Sequence, residues 1–235
     1  MSSRQAEKER RREERLAREQ AEKRSAARRK RLQYALGALI AAAGLAGLVV
    51  FVVVGIGSGN GGDGGEPRAP SDTNVQLPPQ AIGNLQAAAD AAGCKLANPE
   101  IEGAEHLDKE FAPSDYKTNP PTSGNHFGQW YEDGIYDPGG LPNLGMIVHT
   151  LEHGRINIQY KPGTPAEAVA QLEALLAETD GYHMLLYENT TGMDAQVAAT
   201  TWGHSLTCPE MNDKVFDAMR TFRTRWIDKG PENVP

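Results

Sequence analysis

From Leu32 to Gly62 no residue is charged, and inside that gap YALGALIAAAGLAGLVVFVVVGI, residues 34–56, is 23 residues long. A helix of roughly 20 apolar residues spans a bilayer. A cleavable signal peptide has an apolar core of only about 7–15 residues behind a short basic lead. Here both the core and the lead are longer, and no small-residue cleavage pattern follows. The run reads as an uncleaved signal anchor, a single transmembrane helix that divides the chain into two parts of opposite charge. Residues 1–31 hold 13 of the 24 Lys/Arg but only 6 of the 31 Asp/Glu, so the remainder is strongly acidic. Basic flanks stay on the cytoplasmic side. The expectation is a single-pass cell-membrane protein, N-terminus cytoplasmic and C-terminal domain extracytoplasmic.

Four segments follow from this division. Residues 1–33 form a basic charged arm with mixed Glu and Arg and almost no apolar face, helical or disordered. The arm is attracted to anionic lipid headgroups. It lacks the interleaved aromatics of a nucleic-acid binder, and none is expected as a partner. Residues 34–56 are the membrane helix, in which Gly37/Ala41 and Ala43/Gly47 have the small-x-x-x-small spacing that permits a homodimer. Residues 57–80 are rich in Gly, Pro, Ser and Asp and are expected to act as a flexible linker. Residues 81–235 remain as the extracytoplasmic domain, long enough to bury a core.

Within that domain, GTPAEAVAQLEALLAET predicts a helix with Thr164 as N-cap, Pro165 in the first turn and Glu167 completing a capping box. A last helix is predicted from near Pro209, its stripe formed by Val215, Met219, Phe222 and Trp226, with Lys214, Arg220, Arg223 and Arg225 on a solvated face. A short Ala-rich helix is placed over 84–92. Strands are predicted at 155–160, 182–188 and 195–203, the last two joined by a hairpin-like NTTGMD turn. The order predicts an α+β (or α/β) domain, a small mixed sheet with flanking helices. It also describes the back half of a thioredoxin-like fold, but no C-x-x-C precedes it. Residues 112–143 form a long Pro/Gly/aromatic loop of a length that is uncommon without a function.

The two cysteines, Cys94 and Cys208, both fall in the exported part, where thiols oxidise. A bridge between them is the first expectation. The alternative is a thiolate metal ligand, since His204 and Cys208 are four apart.

Residues 149–153 spell H-x-x-E-H. If 145–153 is a helix, His149 and His153 share a face about 6 Å apart, with Met146 one turn earlier and Gly154 placed to end it. If it is a strand, the two rings are about 13 Å apart and cannot share a metal. One reading is a zinc peptidase, with both histidines on Zn²⁺ and Glu152 as general base. It lacks a convincing third ligand.

PPTSGNHFGQW, GIYDP, VHTLEHGRINIQY and ATTWG together resemble a bacterial family of membrane-anchored proteins, domain of unknown function 3105, over residues 115–205. The resemblance implies the fold and an extracytoplasmic location, and marks His126, Trp130, His149, Glu152, His153 and Gly154 as motif residues. It implies no activity. Chemically, His126, His149 and His153 suit a three-imidazole copper or zinc site, with Glu152 as fourth ligand or orienter and Met146 tilting the choice towards copper. Such a domain would serve as a binding or accessory module for a protein partner at the outer membrane face. The alternatives are a structural interaction domain whose histidines are satisfied by backbone carbonyls, and a zinc hydrolase. His106 and His183 read as packing or surface residues.

Overall fold

MLLYE, residues 184–188, has no polar side until its last residue, so as a strand it needs cover on both faces. A computed structural model, which describes residues 65–70 and 74–232, provides that cover. In chain order its elements are α1 (Leu85–Ala92), β1 (Lys95–Ala97), a 3-10 turn (Pro113–Asp115), β2 (Gly134–Ile135), α2 (Leu144–Glu152), β3 (Ile156–Tyr160), α3 (Ala166–Ala177), β4 (Met184–Glu188), β5 (Val197–Thr201), β6 (His204–Cys208) and α4 (Val215–Trp226). The strands make one mixed sheet of order β1-β6-β5-β3-β4-β2. β2, β4 and β3 are parallel, while β5, β6 and β1 continue antiparallel. The α+β architecture is therefore present. Among the described residues no helix is long and apolar enough to cross a membrane. The charged arm at 1–33 and the membrane helix at 34–56 lie outside the described residues.

Side-chain alternation along the sheet separates two cores. Ile156, Ile158, Met184 and Leu186 face one cluster with Leu172 and Leu176 of α3, Phe216 and Phe222 of α4, and Ala88 and Ala89 of α1. Leu185 and Tyr187 point the other way, into a cluster with Ile147, Val148 and Leu151 of α2 and the loop tyrosines Tyr116, Tyr131 and Tyr136. The predicted long loop is thus a covering layer, packed on the sheet beside α2.

Several expectations are corrected. β4 and β5 do not form a hairpin, because β3 lies between them. The NTTGMD turn is instead held by Asn189, whose Oδ1 accepts from the Thr191 and Met193 amides. β5 turns at Trp202-Gly203 into β6, a strand not foreseen, with Gly203 at φ 72°. Thr164 does not cap α3. Its hydroxyl donates to the Lys161 carbonyl, and Pro165 occupies the cap position. α4 starts at Val215 rather than near Pro209. The flexible linker does not extend to residue 80. Arg68 pairs through its backbone with Ile135, Leu77 packs on the larger core, and the Pro78 carbonyl accepts from Arg220.

Arg220, expected on a solvated face, is buried and forks onto Glu178 with Nε 2.9 Å from Oε1. Burial raises the Glu178 carboxyl, but hydrogen bonds and charge from Arg220 and Arg223 outweigh it and hold the carboxyl below its ordinary value. The pair therefore stabilises the fold above the unfolded carboxyl value, about 4.3, and that contribution is lost as pH falls through the folded value. Denaturant unfolding of Glu178→Gln at neutral pH is expected to show a loss of about 2–3 kcal/mol, because a buried guanidinium loses the closer of its two charged partners and keeps only Asp217. The gap to wild type should narrow on acidification.

Candidate metal centre

α2 is bracketed by two residues with clear roles. The Asn143 side chain accepts from the Met146 amide at its start, and Gly154 at φ 77° stops it just after His153. H-x-x-E-H is therefore helical, and the strand alternative is excluded. The helix is tied to the sheet by Asn157, whose Nδ2 donates to the Ile147 carbonyl at 3.0 Å while Thr150 Oγ1 donates to its Oδ1 at 3.0 Å. This seats His149 and Glu152, one turn apart, under the long loop.

The loop then orients two imidazoles through its backbone. His126 Nδ1 is 2.8 Å from the Gly124 carbonyl, and His149 Nδ1 is 2.8 Å from that of Phe127 and 3.1 Å from that of Gln129. A carbonyl oxygen only accepts, so each Nδ1 carries the ring proton and each Nε2 presents a lone pair. Glu152 Oε2 lies 2.9 Å from His126 Nε2 and 3.4 Å from His106 Nε2. The His126 contact is off the line of a hydrogen bond. Among the described residues, His126 Nε2, His149 Nε2 and Glu152 Oε2 are all buried without a hydrogen-bond partner.

Ligand atoms of His106, His126, His149 and Glu152 all fall within 4.8 Å of one another. Ligands on tetrahedral zinc, with bonds of about 2.0–2.1 Å, stand about 3.3 Å apart. The observed spacing can close onto an ion by small side-chain movements. Burial, the largest effect, lowers the His126 and His149 imidazoles from their ordinary value and raises the Glu152 carboxyl. The imidazoles are thus kept in the neutral form that ligates metals.

His153 faces elsewhere. The Arg155 guanidinium, which can only donate, reaches its Nδ1 at 3.4 Å, so Nε2 carries the proton towards Glu232 Oε2 at 3.3 Å. Burial lowers its imidazole to about 4. His149, His153 and Glu232 do form a second close group, but it shares His149 with the first. Of the expected trio, His126 and His149 fall in the first group, which adds His106, while His153 falls with His149 and Glu232 in the second. The peptidase arrangement, which needs His149 and His153 on one ion, loses the second lone pair. Met146 is partly buried and packs against the smaller core. His204 stacks on Trp226, and Cys94–Cys208 is a disulfide, so the His204/Cys208 thiolate alternative is closed.

His106 carried no signal in the sequence. It stands 20 residues before His126 in a polar segment, and only chain pairing brings it in: the Leu107 amide donates to the His126 carbonyl at 2.8 Å and the His126 amide to the Glu105 carbonyl at 3.0 Å. Trp130 stands edge-on to both His149 and His153, and Trp202 edge-on to His126.

Residues 108–233 match the family described as Protein of unknown function (DUF3105). The chain belongs to this family. No curated protein and no solved structure matches the chain. The match runs past α4 to a C-terminal strap, where the Asp228 amide donates to the Gly154 carbonyl and the Glu232 amide to that of Glu152. Gly154 admits this strap, since a Cβ there would meet Gly230 N at 2.8 Å and the Asp228 Cα at 2.9 Å. Gly154→Ala is expected to cost about 1–3 kcal/mol through its positive φ and this clash. Hydrogen exchange should show the amides of 228–232 losing protection first.

Proposed function

We propose that His106, His126, His149 and Glu152 bind one transition-metal ion, zinc or copper, in an accessory module held at the outer face of the cell membrane by the apolar run 34–56. The observation that supports binding is that three buried atoms without a hydrogen-bond partner, His126 Nε2, His149 Nε2 and Glu152 Oε2, belong to side chains whose ligand atoms lie within 4.8 Å of one another. Three imidazoles and a carboxylate suit zinc or copper(II). The location rests on the uncharged run, the charge asymmetry around it, and a disulfide of the kind that persists in oxidising compartments. The protein partner of such a module would dock at that outer face.

A second reading has its own support. Burial raises the Glu152 carboxyl, and a protonated Glu152 turned into line with the His126 Nε2 lone pair 2.9 Å away would donate to it without any metal, making the cluster a structural hydrogen-bonded core. A hydrolase with Glu152 as base is less well supported, because its carboxylate already lies among the ligand atoms.

Elemental analysis after zinc and copper challenge separates the readings. Stoichiometric metal is expected in the wild type and its loss in His126→Ala and His149→Ala. Chelation should lower stability by about 2.7 kcal/mol relative to metal held at 100 times its dissociation constant. A metal-free wild type, with variants that are merely less stable, would establish the structural core instead.

A further inference from the structure

The four side chains of the cluster are not held alike. His126 and His149 are locked by backbone carbonyls on Nδ1, the outer contact that orients a metal-binding imidazole and strengthens its bond. Glu152 leaves a helix that is buried along almost its whole length. The His106 side chain is 43% exposed; its Nε2 lies 3.4 Å from Glu152 Oε2, but among the described residues no backbone carbonyl holds its ring as one does for His126 and His149. It is placed by its backbone pairing with His126 and by ring contacts at 4.8 Å to His126 and 4.5 Å to His149. Three ligands thus form a rigid buried base, and the fourth sits on the solvent side.

We infer that His106 is the exchangeable ligand of this centre, and that an imidazole from outside, such as a histidine side chain of a partner protein, takes its place on the ion. This rests on the metal-binding reading above. The step is a ligand substitution. The bond from the metal to His106 Nε2 breaks, and one from the metal to the incoming imidazole nitrogen forms. Both donors are neutral, so the charge and the oxidation state of the ion are unchanged. The incoming ring has the size and chemistry of the one it replaces, and it reaches the ion without disturbing the buried base. A site of this kind can accept and release metal at its exposed edge, as an accessory module that hands metal to a partner must.

The test uses the purified full chain in detergent with Co²⁺ as the probe, whose visible absorption reports the donor set. His106→Ala is compared with His126→Ala, and circular dichroism confirms that each is folded. His106→Gln serves as a second variant that keeps a polar side chain in the segment. The expected result is Co²⁺ binding by both His106 variants that is weaker than wild type but not lost, with faster loss to a chelator. Imidazole should return the spectrum and affinity of His106→Ala to those of wild type, while His126→Ala stays empty. Loss of Co²⁺ from the His106 variants as complete as from His126→Ala would show a closed site and overturn the inference. So would a wild-type spectrum without imidazole, or no response to imidazole. A wild type that takes up neither Co²⁺, Zn²⁺ nor Cu²⁺ would remove the metal-binding reading itself, a failure distinct from the others.

Discussion

Hydrogen bonds from buried imidazole N–H groups to the carbonyls of Gly124, Phe127 and Gln129 determine which way the lone pairs of His126 and His149 point. Those two nitrogens and Glu152 Oε2 lie buried without a hydrogen-bond partner among the described residues, in a group whose ligand atoms are all within 4.8 Å of one another. A buried polar atom left without a partner costs about 1–3 kcal/mol, against a total stability of about 5–15 kcal/mol for a domain. Three such atoms at one point would consume a large share of that margin. A cation, or a proton shared between Glu152 and an imidazole, removes the cost. This balance is why the cluster is read as a site rather than as ordinary packing.

The scaffold serves to keep those carbonyls in place. A loop as long and as rich in Pro and Gly as 112–143 has only the two residues of β2 in the sheet ladder, so side chains hold much of the rest. Tyr116 donates to the Asn125 carbonyl at 3.1 Å, Tyr136 to the Glu132 carbonyl at 2.7 Å, and the Tyr131 hydroxyl accepts from the Asn143 amide at 3.0 Å. The same rings fill the smaller core against α2. At the far edge of the sheet the Cys94–Cys208 bridge, spanning 114 residues, joins the end of β6 to the start of β1. Loop-closure entropy for a span of this length amounts to about 4–5 kcal/mol. The bridge secures the start of the segment that continues from β1 towards His106.

Much of the local structure was legible in the residues. Gly154 after a short apolar period marked the end of α2, and the 4, 3, 4 spacing of Val215, Met219, Phe222 and Trp226 marked α4. The failures share one cause. Arg220 reads as solvated until Glu178, 42 residues away, is beside it. The strands at 182–188 and 195–203 read as a hairpin because they are neighbours in sequence, whereas β3 had already taken the place between them. Thr164 reads as a cap, but its hydroxyl oxygen accepts instead from Gln196 Nε2, 32 residues away, while its proton goes to the Lys161 carbonyl.

By itself the sequence pointed to a bridge between its two cysteines, an α+β or α/β order of elements, and three of the four side chains in the cluster, while leaving H-x-x-E-H open between helix and strand. Those properties follow from spacing along one segment or from residue type. Only the tertiary structure decided that His106 enters the site while His153 turns away from it. An imidazole offers a lone pair or a proton according to what its other nitrogen meets, and the deciding groups come from separate parts of the chain. Gly124 and Phe127 stand against His126 and His149, whereas Arg155 and Glu232 stand against His153. Local spacing carries no record of those meetings.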